Sequence, residues 1–199
     1  VDDQRRGEPL TARRRQATQL ELSDVAARLF VERGFAAVTV QDIAAATGVS
    51  PRTFHRYFPS KADVVHPGLY EGMRIFLRRV EAIAPETPLV EGLVDALDAM
   101  VEEPRTAWDD QLRELAVSLP ALRPAWLRVH EECAGDLQPL LAQRIGLQHD
   151  PVVARYVSFS VVTACRLGME SWMASRAGSR RPHLERCLQL LTLPVLPTP

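Results

Sequence analysis

Residues 39 to 61 read TVQDIAAATGVSPRTFHRYFPSK. The stretch predicts two short helices joined by a tight turn, then the start of a third. Thr39 is a good N-cap, and Asp42 stands three residues on, where a carboxylate suits the positive end of a helix. Ile43, Ala44, Ala45 and Ala46 make a helix body small enough for a second helix to approach closely. Gly48 is expected to stop it, because the position after a helix favours a left-handed backbone that glycine adopts cheaply. Val49 plugs the turn. Ser50 caps the next helix, and Pro51 at its first position gives up no hydrogen bond. Phe54 and Phe58, four apart, face inward. Arg52, Thr53, His55, Arg56 and Tyr57 are left on the outer surface, with no acid among them. Pro59 ends the helix, and Ser60 caps the following one with Asp63 at its third position. This is the layout of a helix-turn-helix, whose second helix enters the DNA major groove. A helical hairpin inside an ordinary core carries the same caps, but nothing then requires an outer face rich in cations.

The pattern extends upstream. Leu29, Phe30, Glu32, Gly34 and Phe35 form LF-x-E-x-GF at the end of an amphipathic helix. Thr39, Val40, Asp42, Ile43 and Ala44 follow, then GVSPRTFHRYFPSK. Over about residues 18 to 65 the chain resembles the DNA-binding domain of the tetracycline-repressor (TetR) family of bacterial regulators. The resemblance implies that Thr39 and Ser50 anchor phosphates near helix ends. It implies that Gln41, Arg52, Thr53 and Arg56 face base edges, while His55, Tyr57 and Lys61 hold the backbone. Arginine gripping guanine with two hydrogen bonds is the commonest specific contact, so Arg52 and Arg56 are the candidates for sequence discrimination. Two positions depart from the family pattern: His55 replaces a tyrosine that commonly touches a phosphate, and Thr47 replaces an alanine. Histidine can donate to a phosphate too, more strongly when protonated. Lys61 is the only lysine in the chain, against 23 arginines.

Charge is distributed to match. Residues 4 to 61 carry ten Lys/Arg against five Asp/Glu, and residues 62 to 199 carry 14 against 18. With Asp2 and Asp3 the total is −1, which hides a basic head on an acidic body, and only the head needs to meet phosphate. Residues 1–17 are expected to form a flexible basic arm. Its Arg13, Arg14 and Arg15 either reach a neighbouring groove or form a solvated tail. Residues 18–62 form the expected DNA-binding domain and 63–199 an effector-binding and dimerisation domain.

A chain of 199 residues, 46% apolar, can bury a substantial core and is not disordered. The nearest approach to a membrane span, Tyr156 to Cys165, reads as too short, and the N-terminus lacks a secretory signal. Cys133, Cys165 and Cys187 suit reduced thiols better than a disulfide framework. The expected compartment is the cytoplasm.

The fold class reads as all-α, because strand alternation is absent and prolines punctuate helix-length segments. The first helix is expected from Gln19 to Arg33, capped by Thr18. A fourth runs from Lys61 to Ala84 with a kink at His66-Pro67-Gly68. Others span about 88–103, 105–118, 124–146, 151–177 and 182–192. The segment PVVARYVSFSVVTACRLGMESWM is apolar nearly all round, so it must be covered on most sides. Either it is a central core helix, or one side packs on a second copy with Ser158, Ala164 and Gly168 permitting close approach. The family resemblance implies the second: the last two helices pair with their symmetry mates, and a two-fold dimer reads a palindromic operator.

The body is expected to enclose a small-molecule effector among Trp108, Leu112, Leu115, Trp126, His130, Phe159, Met169 and Trp172. Each of these also suits plain core packing. From LAVSLPALRPAW to RLGMESWMAS the chain further resembles regulators that sense acyl-coenzyme A-like ligands. The expected protein is thus a transcriptional repressor without catalytic residues, metal or cofactor. Two rivals stand beside it. One is an enzyme using His130 and Cys133, whose three-residue spacing shares a helix face. The other is a dimeric helical interaction protein whose helix-turn-helix has lost DNA binding.

Overall fold

A computed structural model describes residues 10–175 and 178–192. Among the described residues it is helical throughout. The helices are α1 (Leu10–Arg33), α2 (Val40–Ala46), α3 (Pro51–Tyr57), α4 (His66–Glu81), α5 (Leu89–Glu102), α6 (Asp109–Ser118), α7 (Arg123–Ile145), α8 (Pro151–Ser175) and α9 (Arg181–Gln189). Short 3-10 turns occupy Ala62–Val65 and Leu190–Thr192. Prolines stand at the first or second position of α3, α4, α7, α8 and α9, where a missing amide hydrogen costs nothing.

Two expectations near the N-terminus are overturned. α1 begins at Leu10, so the part of the basic arm from Leu10 onward is helix, and residues 1–9 lie outside the described residues. Thr18 is no cap; its hydroxyl donates to the Arg14 carbonyl at 2.9 Å. Alanine, arginine, glutamine and leucine dominate this stretch and propagate a helix through one threonine. The kink at His66-Pro67-Gly68 is also absent. Its place is taken by the 3-10 turn, after which α4 starts with Pro67 in its first turn.

The chain forms two compact units. The first comprises the residues up to Gly72 together with Pro104–Trp126. The second comprises Met73–Glu103 and the residues from Leu127 onward. The division between these units falls within α4 and α7.

In the first unit, Leu22, Ala26 and Phe30 of α1 are buried, as are Ile43, Phe54, Phe58 and the side chains of Val64 and Val65. Buried Ser23 accepts a hydrogen bond from the Gly68 amide at 3.0 Å. A Cβ on Gly68 would lie 2.8 Å from that hydroxyl, so glycine is what lets α4 start against α1. Arg105 grips both oxygens of Asp24 at 2.7 and 2.6 Å. Burial alone would lower the pKa of Arg105, but the Asp24 hydrogen bonds and the charges of Asp24, Asp109 and Glu71 raise it. Asp109 in turn accepts from the Arg105 and Thr106 amides and from the Thr106 hydroxyl, fixing the entry to α6.

In the second unit, α8 and α9 pack antiparallel. A Cβ on Gly168 would lie 3.0 Å from the His183 carbonyl and from the Leu184 Cα. Ser158 and Gly168, expected to admit a second copy, are therefore spent inside the chain: both are buried, and Gly168 serves α9. Arg180 holds Asp98 of α5 at 2.6 Å, and Arg181 holds Asp95 at 2.7 Å, tying the start of α9 to α5. Arg144 of α7 donates to the carbonyls of Ile83, Ala84 and Thr87, which satisfies the turn that follows α4. At 25 residues α8 is long and apolar enough to cross a membrane by length and composition alone, which corrects the shorter reading. Core helices pass the same test, and this one carries an Arg166–Glu170 ion pair at 2.9 Å in a partly buried setting.

Candidate nucleic-acid interface

Local hydrogen bonds determine how α2 and α3 are held. Thr39 Oγ1 accepts from the Asp42 amide at 3.1 Å, and the Asp42 carboxylate accepts from the Thr39 amide at 2.7 Å. That reciprocal pair is a capping box. The Thr39 hydroxyl and amide hydrogen bonds, with a smaller contribution from the charge of Arg33, hold the Asp42 carboxyl below its ordinary value. At the other end of α2, Gly48 has φ 68°. Its amide donates to the Ala45 carbonyl at 3.3 Å, and the Val49 amide donates to Ala44 at 3.0 Å. Those two bonds make a Schellman closure, which requires the left-handed glycine. Ser50 then caps α3 by accepting from the Thr53 amide at 3.1 Å. With both ends fastened and Phe54 fully buried, the opposite face of α3 is turned outward.

The nine residues expected at the DNA surface fall into two groups. Gln41, Arg52, His55 and Arg56 are exposed. Gln41 and Arg52 make no hydrogen bond or ion pair among the described residues. Tyr57 accepts from Arg56 Nη2 at 3.2 Å, which leaves its own hydroxyl proton free to donate. The remaining four have internal tasks. The amide and hydroxyl of Thr39 both donate to Asp42, so a phosphate there has to compete. Ser50 and Thr53 bond each other through their hydroxyls at 3.0 Å.

Lys61 is the one whose role the sequence concealed. Its ammonium donates to the carbonyls of Phe35 at 2.7 Å and Val38 at 2.8 Å, and lies 4.1 Å from the Phe35 ring centroid. It clamps the loop between α1 and α2 and retains one further N–H. No pattern within residues 39 to 61 reveals this, since the partners lie more than 20 residues upstream.

The eight effector candidates are divided between the two units. Trp108, Leu112, Leu115 and Trp126 belong to the first unit, and His130, Phe159, Met169 and Trp172 to the second. Leu112, Trp126, His130 and Met169 are buried. Trp172 donates from Nε1 to the Gly178 carbonyl at 3.1 Å. Phe159 alone of the eight lines a groove of about 410 Å³ on α8 and α9, with Tyr156, Thr163, Leu167, Cys187 and Leu191 among its walls. Tyr156, Thr163 and Leu167 lie outside the set expected from the sequence. Their spacing with Val152, at i, i+4, i+11 and i+15 on an otherwise apolar helix, is the signal that finds them.

The proposed His130–Cys133 pair has the wrong electrostatics for a nucleophile. Burial, and secondarily the charge of Asp136, pushes the Cys133 thiol up to about 12. It is therefore a protonated thiol at neutral pH. Among the described residues no group of three or more His, Cys, Asp or Glu is arranged to hold a metal.

Two family models match successive parts of the chain. Residues 22–66 match the family of bacterial regulatory proteins, tetR family, and residues 84–195 match the MftR C-terminal domain. The transcriptional regulator TcmR of Streptomyces glaucescens is 32% identical over 152 residues, covering 72% of this chain and 67% of that protein. MftR of Mycobacterium tuberculosis, a putative regulator of mycofactocin biosynthesis, is 25% identical over 174 residues, covering 86% and 88%. Among solved structures, the repressor FadR of Thermus thermophilus in complex with lauroyl-CoA superposes with a TM-score of 0.57, at 25% identity over 91% of this chain and 96% of that one. A capped, outward-facing cationic helix on an all-helical body, matched in both halves by the same kind of protein, has one meaning: the chain belongs to the tetR family of bacterial regulatory proteins and is a DNA-binding transcriptional regulator.

Proposed function

We propose that this regulator is a cytoplasmic homodimeric repressor that occupies a palindromic operator and is released by a small hydrophobic or acyl-coenzyme A-like effector. The observation that carries the reading is α3. Its exposed face holds Arg52, His55 and Arg56 without an acid, on a helix capped by Ser50 and anchored by Phe54. Arg52 and Arg56 read base edges, with Gln41 beside them. Tyr57, His55 and the spare N–H of Lys61 hold phosphates, and Thr39, Ser50 and Thr53 contribute as far as their internal bonds allow.

The second copy is called for by α8 and α9. Val152 and Tyr156 are 77% and 72% exposed, and Leu167, Leu190 and Leu191 are each more than 40% exposed. Large exposed apolar side chains on two adjacent helices, four of them along one groove, favour burial against a partner. A copy related by a two-fold axis covers the same face on both chains. Two α3 helices then lie about one DNA turn apart, ~34 Å.

The effector reading draws on FadR, whose structure holds lauroyl-CoA. Helix α4 contributes to both units, and the 3-10 turn preceding it begins beside Lys61. An effector that prefers a state with α4 displaced weakens DNA binding by the same free energy.

The test is selection of bound duplexes from a random pool. Two half-sites in inverted repeat, spaced by about one turn, are expected. An Arg52→Ala plus Arg56→Ala variant should lose the selected sequence while remaining folded. Enriched sequences without two-fold symmetry would refute the palindrome. Absence of any duplex binding by the folded wild type would leave the interaction-protein alternative standing.

A further inference from the structure

Arg15 lies outside the helix-turn-helix, 42 residues before Tyr57, yet its guanidinium sits 5.8 Å from the centroid of the Tyr57 ring. Arg56 sits 5.0 Å from the same centroid and donates to the Tyr57 hydroxyl at 3.2 Å. Both arginines are exposed. Among the described residues neither has a carboxylate partner. Residues 10 to 20 hold Arg13, Arg14 and Arg15 and no acid, so no neighbour on this part of α1 offsets the charge.

Two unneutralised guanidiniums on one aromatic ring repel each other, and the ring only partly compensates. An anion beside them removes that cost. Tyr57 adds a hydroxyl proton, which the Arg56 contact leaves unused. Tyr57 ends α3, so this cluster stands at the margin of the reading helix. Contacts there fall on the sugar-phosphate wall, while base edges are reached from the centre of the helix. We propose that Arg15 and the Tyr57 hydroxyl form a single binding site for one DNA backbone phosphate, beside the base-reading Arg56, and that the first half of α1 is thereby part of the DNA-binding surface. The proposal rests on the DNA-binding reading of α3. Arg15 contributes charge to the phosphate and does not discriminate sequence.

The extension of α1 to Leu10 is what makes the site. A flexible arm would bring Arg15 to Tyr57 only at a cost in conformational entropy, whereas helix holds its backbone in place beforehand.

The experiment measures binding of the full chain to a duplex of arbitrary sequence, about 40 base pairs long, across a salt series. Binding to such a duplex is nearly all phosphate contact, so no operator needs to be known. For Arg15→Ala the plot of log affinity against log salt should become shallower by about 0.9 per subunit, and affinity at low salt should fall several-fold. Arg15→Lys, which keeps the charge, should retain the wild-type slope. The ratio of affinities for a selected operator and the arbitrary duplex should be the same in all three proteins. Thermal unfolding followed by circular dichroism checks that the variants fold, as expected for an exposed side chain. An unchanged slope in Arg15→Ala overturns the proposal. So does reduced affinity with an unchanged slope, because the side chain then only braces Tyr57. If the folded wild type shows no salt-dependent duplex binding, the DNA-binding reading itself has failed, which is a different result.

Discussion

Asp42 and Lys61 stabilise the reading head by different means, and the two are separable by experiment. Asp42 is an exposed carboxylate whose pKa is lowered by its bonds to Thr39. A depressed carboxyl contributes stability above its unfolded pKa and loses it as pH falls through the folded value. The stability gap between wild type and Asp42→Asn should therefore be constant at neutral pH. It should begin to close below about pH 4 and vanish under the lowered folded pKa. Urea unfolding at a series of pH values measures it; a gap that is independent of pH throughout would show that the carboxylate charge is irrelevant to the cap. Lys61 instead satisfies two loop carbonyls. Lys61→Met keeps most of the apolar stem but leaves the Phe35 and Val38 oxygens without this donor. A loss of about 1–3 kcal/mol is expected, read as a lower urea midpoint with an unchanged slope.

Glycine at an element contact outweighs helix propensity. In an isolated helix, Gly168→Ala would gain about 1 kcal/mol. In this fold the new Cβ would meet the His183 carbonyl and Leu184 Cα at 3.0 Å, and backbone atoms cannot rotate away. The expected outcome is a net destabilisation of about 1–3 kcal/mol, measured by denaturant unfolding. A variant as stable as wild type would mean that α8 and α9 separate more easily than their packing implies. The periodicity of α8 was legible, but which neighbour took each of its sides was not. Small residues are consistent with close approach by any helix, and the sequence does not say whether that helix belongs to the same chain. Gly168 turns out to face α9, while Tyr156 and Leu167 occupy the outer side. The length of α1 is hidden in the sequence for a related reason. Thr18 is an acceptable cap, but a cap acts only where the residues before it fail to be helical, and these propagate the helix to Leu10.

At the scale of the whole molecule, the proposed dimer ties the exposed stripe on α8 and α9 to DNA affinity. Tyr156→Glu combined with Leu167→Glu should shift the protein from dimer to monomer in sedimentation velocity without altering its circular dichroism. Binding to a two-half-site duplex should weaken by at least about 100-fold, since a monomer forfeits the second tethered contact. A double variant that remains dimeric would move the interface elsewhere. The distribution of large apolar groups between two compact units belongs to this scale as well. Eight side chains of suitable size could be picked out in the sequence, but their assembly into one cavity could not be derived, because core and ligand pocket recruit the same residue types.

The sequence alone determined the helix-turn-helix, because its signals are local: Thr39 with Asp42, Gly48, Ser50 with Pro51, and the Phe54–Phe58 pair each act within five residues. It also determined the outward cationic face, since the two phenylalanines leave no other orientation for Arg52 and Arg56. Tertiary structure alone decided that Lys61 clamps Phe35 and Val38, that Arg105 reaches Asp24, that Gly168 serves α9, and that Arg15 meets Tyr57. Each of those contacts joins residues 15 to 81 positions apart, and a separation of that kind is bridged by the packing of whole helices, which no local spacing encodes.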